Sequence, residues 1–109
     1  MRLDIKPLSV NQCWQGKRFK TPKYKSYEME LLTCLKPNLT IPKGLLHLSV
    51  TFGLSSKLND IDNGLKPLID ILQKKYNFND RDIYKLDVVK EIVPKGKEFI
   101  DFSIKSLDK

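Results

Sequence analysis

The 109-residue chain has two cysteines, one histidine and one tryptophan, and no apolar run approaching the ~20 residues that a membrane-spanning helix needs. Cys13 and Cys34 have neither the number nor the spacing of a zinc site or a disulfide scaffold, so both read as free thiols in a reducing cytosol. The lone His47 has no Asp, Glu, Cys or second His at ligand spacing and is expected on an exposed strand face. Ser55 and Ser56 lack the flanking glycines of a nucleophile elbow, and Cys13 has no histidine partner, which removes serine and cysteine nucleophile chemistry. The opening residues MRLDIK carry Asp4 and alternate too early for a secretory leader, so a soluble, cytoplasmic protein is expected. Glycine and proline are scattered singly, without repeat, linker or low-complexity block, and residues 1–109 are expected to close as one domain.

What the chain has in excess is positive charge. Twenty Lys and Arg stand against 13 Asp and Glu, and the formal charge of +7 favours a polyanionic partner. The charge is densest in "SVNQCWQGKRFKTPKYK", residues 9–25, where Lys17, Arg18, Lys20, Lys23 and Lys25 interleave with Trp14, Phe19 and Tyr24. That mixture suits an exposed loop gripping a phosphate backbone, with an aromatic ring free to stack on unpaired bases.

Periodicity supplies the elements. Leu3 and Ile5 alternate with charged residues up to Pro7, a short first strand. Tyr27, Leu31, Cys34 and Leu35 recur at helical spacing and predict a helix over 24–35, closed by Pro37. Leu46, Leu48, Val50 and Phe52 alternate with polar residues over 45–53, as in a half-buried strand. Ile61, Leu65, Leu68, Ile69 and Leu72 form the stripe of a second helix, which begins between Asp62 and Lys66 so that Pro67 falls in its first turn. Residues 83–105 read as two strands joined at "PKGK", a hairpin. The expectation is an α+β domain, β-α-β-α-β-β, with a mixed sheet of about four strands and two helices on one face.

The passage "KLNDIDNGLKPLID", residues 57–70, crowds carboxylates and amides around the start of the second helix. A structural reading is available: Asp and Asn cap helices, and Asp62, Lys66 and Asp70 at i, i+4 and i+8 form a solvated charge ladder. One cap needs only one acceptor, however, and like charges this close repel unless a cation lies between them. A calcium loop fails, because Gly64 and Leu65 stand at its third-ligand and glycine positions and Ile71 where a bidentate Glu belongs. Mg²⁺ asks for less, one to three carboxylates completed by waters and substrate phosphate. A third carboxylate is on offer in "FNDRDIY", residues 78–84, as Asp80 or Asp82.

The combination of D-I-D-N-x-x-K at 60–66, L-I-D at 68–70 and F-N-D-x-x-I at 78–83, behind the "PLSVNQCW" entrance and its basic segment, resembles the RusA family of Holliday junction resolvases. The likeness runs in order along nearly the whole chain. It implies a RusA-like endonuclease domain over 1–109, a homodimer that cuts two strands of a four-way DNA junction symmetrically with Mg²⁺, or Mn²⁺ in its place, and with no small-molecule cofactor and no membrane. By residue, it implies Asp60, Asp62 and Asp80 as metal-binding carboxylates and Lys66 as the essential lysine. Asn63 and Asp70 also match family positions. Asn11, Lys57 and Asn63 would join Lys17, Arg18, Lys20, Lys23 and Lys25 in facing DNA. The sequence departs from the family in having only Lys57 just before the first aspartate, where a run of basic residues is common. Two other readings stand beside it: a non-catalytic basic nucleic-acid-binding module, and an interaction protein whose charge is incidental.

Overall fold

The computed structural model describes residues 1–16 and 19–107; Lys17 and Arg18, both expected to face DNA, lie outside the described residues. The elements are β1 (Arg2–Leu3), β2 (Trp14–Gln15), β3 (Phe19–Lys20), α1 (Pro22–Cys34), β4 (Leu46–Leu54), α2 (Leu65–Tyr76), β5 (Ile83–Ile92) and β6 (Phe99–Ser106). Two short 3-10 turns, Val10–Gln12 and Asp80–Asp82, precede β2 and β5. The result is the expected α+β domain. Four strands make a mixed sheet in the order β1-β6-β4-β5, and β2 and β3 form a separate ribbon around Gly16, whose φ of 67° suits the turn.

The sheet departs from expectation in one respect. Residues 83–105 do not form a hairpin, because β4 lies between β5 and β6, antiparallel to β6 and parallel to β5. Physical reasons are visible in the strands themselves. β4 buries Leu46, Leu48, Val50, Phe52 and Leu54, so it takes the centre, where it is hydrogen-bonded on both sides. β5 carries Lys85, Asp87, Lys90 and Glu91 and goes to the rim. A parallel neighbour needs a crossover, and α2 provides it. At Gly53 a Cβ would collide with the Phe99 ring of β6, so only glycine permits this approach.

Both helices cover one face. Tyr24, Tyr27, Leu31 and Leu35 from the first helical segment, Leu68, Ile71 and Leu72 from α2, and Leu48, Val50, Phe52, Ile100 and Phe102 from the sheet form one core. α1 starts two residues before its apolar period does, because Thr21 accepts from the Tyr24 N–H at 3.1 Å and Pro22 takes the first helical position. Cys13 is buried in this core and Cys34 is exposed, both as free thiols. No helix among the described residues is long and apolar enough to cross a membrane.

Candidate functional site

The chemistry-bearing residues gather around the two ends of α2. Its N-cap is Gly64, without a side-chain capping bond, so neither Asp60 nor Asp62 caps the helix. Their main chains instead make the turn: the Asp60 carbonyl accepts from Asn63 N–H at 3.3 Å and the Asp62 carbonyl from Leu65 N–H at 3.1 Å. Both side chains are exposed, and neither makes an ion pair among the described residues. This removes the capping role that the sequence left open for them.

The acidic loop is fastened to the N-terminal segment. Val10 N–H donates to the Asn63 carbonyl at 2.7 Å, closing a cleft of about 280 Å³ between the two segments. Lys6, Ser9 and Gln12 line one side, and Ser56, Asn59 and Asp60 the other. Asn11, on the 3-10 turn capped by Ser9, is exposed beside it.

At its far end α2 stops on Asn77, whose left-handed conformation (φ 55°, ψ 54°) turns the chain back along the helix. Asp80 N–H then donates to the Gln73 side-chain oxygen at 2.8 Å. From there the Asp80 carboxylate reaches Lys66 Nζ at 3.6 Å, while Asp70, one turn along the helix, accepts from the same ammonium at 2.8 Å. The Asp70 hydrogen bond, with Asp80 beside it, raises the Lys66 pKa against a smaller opposing effect of burial. Of the two candidates in "FNDRDIY", Asp80 is therefore the one that meets α2; Asp82 makes no ion pair among the described residues.

The structure thus brings together Lys66, Asp70 and Asp80. Neither Asp60 nor Asp62 pairs with Lys66, and among the described residues no group of three or more acidic, histidine or cysteine side chains is gathered to hold a metal ion. The donor chemistry nonetheless suits Mg²⁺ or Mn²⁺: exposed aspartates offering oxygen alone, of which one or two suffice when waters and phosphate oxygens complete the shell.

The basic residues divide by their partners. Lys20 is held by Glu28 at 3.0 Å, and Lys74 reaches the same carboxylate at 3.3 Å, which spends Lys20 inside the fold. Lys23, Lys25 and Lys57 are exposed, without an ion pair among the described residues. Trp14 stands edge-on to Tyr24 and is half exposed, and Phe19 is 72% exposed.

Sequence spacing missed one polar contact. Parallel pairing of β4 with β5 sets His47 near Asp87, Nε2 to Oδ2 at 2.6 Å, with Ser49 Oγ 3.3 Å from the same nitrogen. A proton relay needs the carboxylate and the hydroxyl on opposite ring nitrogens, so this trio on one ring nitrogen is not a hydrolytic triad. Cys13 is no nucleophile either, since burial, with Asp70 adding to it, pushes the thiol pKa up. No protein-family model and no curated protein matches this chain, so the likeness to the RusA family rests on the residues quoted for it.

Proposed function

We propose that the chain is a Mg²⁺- or Mn²⁺-dependent endodeoxyribonuclease acting on branched DNA in the cytoplasm, with four-way junctions as its substrate and a homodimer cutting paired strands. One observation carries the reading. The reversal at Asn77 brings Asp80 back to Lys66, so two halves of a motif separated by a whole helix meet on one side of it. Asp60 and Asp62, free of cationic partners among the described residues, lie just before the same helix.

Asp60 and Asp62 would hold the ion, with Asp80, here paired with Lys66, as the third carboxylate, and the ion would supply a nucleophilic water and Lewis-acid stabilisation of phosphate charge. Lys66 offers its ammonium to the scissile phosphate and neutralises charge that develops there. Asp70 holds that ammonium on the Asp80 side of the helix. Lys23, Lys25 and Lys57 add exposed positive charge for the DNA backbone. No helix-turn-helix or other base-reading module is present among the described elements, so selectivity belongs to the shape of the junction.

The lack of a gathered three-carboxylate group among the described residues favours the second reading, a module that binds nucleic acid and does not cut it. Incubation of the protein with a labelled four-way junction in Mg²⁺ or Mn²⁺ distinguishes them. The nuclease reading expects paired nicks that are lost in Asp62→Asn with binding retained. Binding without cleavage in either ion refutes it.

A further inference from the structure

We infer that β5 is the seam of a homodimer, in which the β5 strands of two copies pair antiparallel about a two-fold axis through Val88. This gives the proposed homodimer a surface, and it rests on the sheet edge, independent of whether the protein cuts DNA.

β5 is ten residues long, lies at the edge of the sheet and, among the described residues, pairs with β4 alone. An edge of this length, without proline and with apolar side chains exposed, is a template for another strand. Tyr84 is 67% exposed, Val89 53%, Ile92 45% and Leu86 43%. The pattern of charge on β5 selects the occupant.

The register with β4 fixes the faces: Leu86, Val88, Lys90 and Ile92 share the helix-covered face with Leu48, Val50, Phe52 and Leu54. Lys85, Asp87, Val89 and Glu91 share the open face with His47, Ser49, Thr51 and Gly53. In a two-fold antiparallel pair, residues directly opposite lie on the same face, so only registers that keep the two sets separate are allowed. Centring on Asp87 sets that carboxylate against its own copy, and centring on Val89 sets Asp87 against the partner's Glu91. Centring on Leu86 runs the pairing into the irregularity at the start of β5, where the register with β4 shifts. Centring on Val88 pairs Lys85 with the partner's Glu91 twice, Val88 with its copy, and Leu86 with the aliphatic stem of the partner's Lys90. Centring on Leu86 would also set opposite charges together, Lys85 against the partner's Asp87, but only across that irregularity, so the Val88 register is the one in which the regular part of this edge is complementary to itself. The two sheets then continue as one, and the exposed apolar residues of β5 lie across the seam.

Sedimentation of the full chain tests this by charge swap. One chain has a mass of 12.7 kDa, and the native protein is expected at twice that value. Lys85→Glu and Glu91→Lys each turn two opposite-charge pairs into like-charge pairs, and each is expected to weaken association by about tenfold. The double variant Lys85→Glu/Glu91→Lys restores both pairs and is expected to recover the native dimer. Both positions are exposed, and a circular dichroism melt checks that each variant is folded. A native protein that stays monomeric, a dimer that both single variants leave unchanged, or a double variant as weak as the singles overturns the inference.

Discussion

Replacing Lys66 by Met separates what this lysine does for the fold from the role proposed for it in cleavage. In the native chain its ammonium lies 2.8 Å from Asp70 and 3.6 Å from Asp80, with 61% of the side chain exposed. Water screens pairs this exposed, and each is worth at most a few tenths of a kcal/mol, so losing both costs no more than about 1 kcal/mol. Met is as good a helix former as Lys, which leaves the backbone indifferent to the change. For a domain of this size the melting temperature should fall by roughly 5 °C or less, and high salt should shrink the difference between variant and native protein. On the proposed nuclease function, cleavage should respond on another scale. Removing a positioned charge beside the reacting phosphate costs on the order of 100- to 1,000-fold in rate, or about 3 to 4 kcal/mol. The assay pairs a thermal melt with single-turnover cleavage of a labelled junction at saturating Mg²⁺. The folded state raises the Lys66 pKa, so its ion pairs contribute fully below the ordinary lysine value of 10.5 and fade as pH rises past it. Between pH 7 and about 9 the stability difference should therefore be flat. Cleavage by Lys66→Met within about threefold of native would show that the ammonium is only a surface pairing group.

Three further outcomes follow from the same geometry. Asp62→Asn should tighten metal-free binding to junction DNA by about twofold to threefold in a titration, because it removes a carboxylate that repels phosphate through water; unchanged or weaker binding counts against this placement of the loop. Glu28→Gln should cost about 1 kcal/mol in urea unfolding at pH 7. Burial tends to raise the Glu28 pKa, but hydrogen bonds from Lys20 and Lys74 outweigh it and hold the carboxyl low, so the native advantage exists at neutral pH and should disappear as pH falls through and below about 4.5. An advantage that does not shrink at all as the pH is lowered from 5 to 3 refutes this. Among the described residues the buried Tyr27 hydroxyl has no full hydrogen bond, though the Leu8 backbone acts on it, so Tyr27→Phe should leave stability equal or raise it by up to about 1 kcal/mol; a loss of that size would reveal a real partner.

Local periodicity exposed α1, β4 and α2 because each buries one face at its own spacing, and those faces are the core of the structure. Pairing between strands was not legible in the same way. Residues 83–105 look like a hairpin because nearness in sequence suggests nearness in space, whereas the apolar density of β4 draws it between the two strands. The contact of His47 with Asp87 depends on that parallel register, so no spacing along the chain could reveal it. At the site, Lys66 with Asp70 was readable as an i, i+4 pair. The arrival of Asp80 was not, although Asn77 directly after the last turn of α2 is the residue type that ends helices in a left-handed reversal.

The acidic loop departs from the capping reading for a reason that bears on function. Its order comes from its main chain: Lys90 Nζ donates to the carbonyls of Lys57 at 3.0 Å and Asn59 at 2.7 Å, and Val10 N–H donates to that of Asn63. A loop fastened through its carbonyls leaves its carboxylates uncommitted, and repulsion between Asp60 and Asp62 is tolerated because both remain in water. Side-chain caps would have secured the same turn by using up the oxygens that a hard cation needs. Lys90 also belongs to β5, so any constraint that straightens this edge strand is passed through two hydrogen bonds to the residues just ahead of Asp60. Lys90→Met should therefore loosen the 57–63 segment, read as faster amide exchange there, while the amides of β4 and β6 remain protected. Equal exchange in the two proteins would mean that the turns at Asp60 and Asp62 hold the loop unaided.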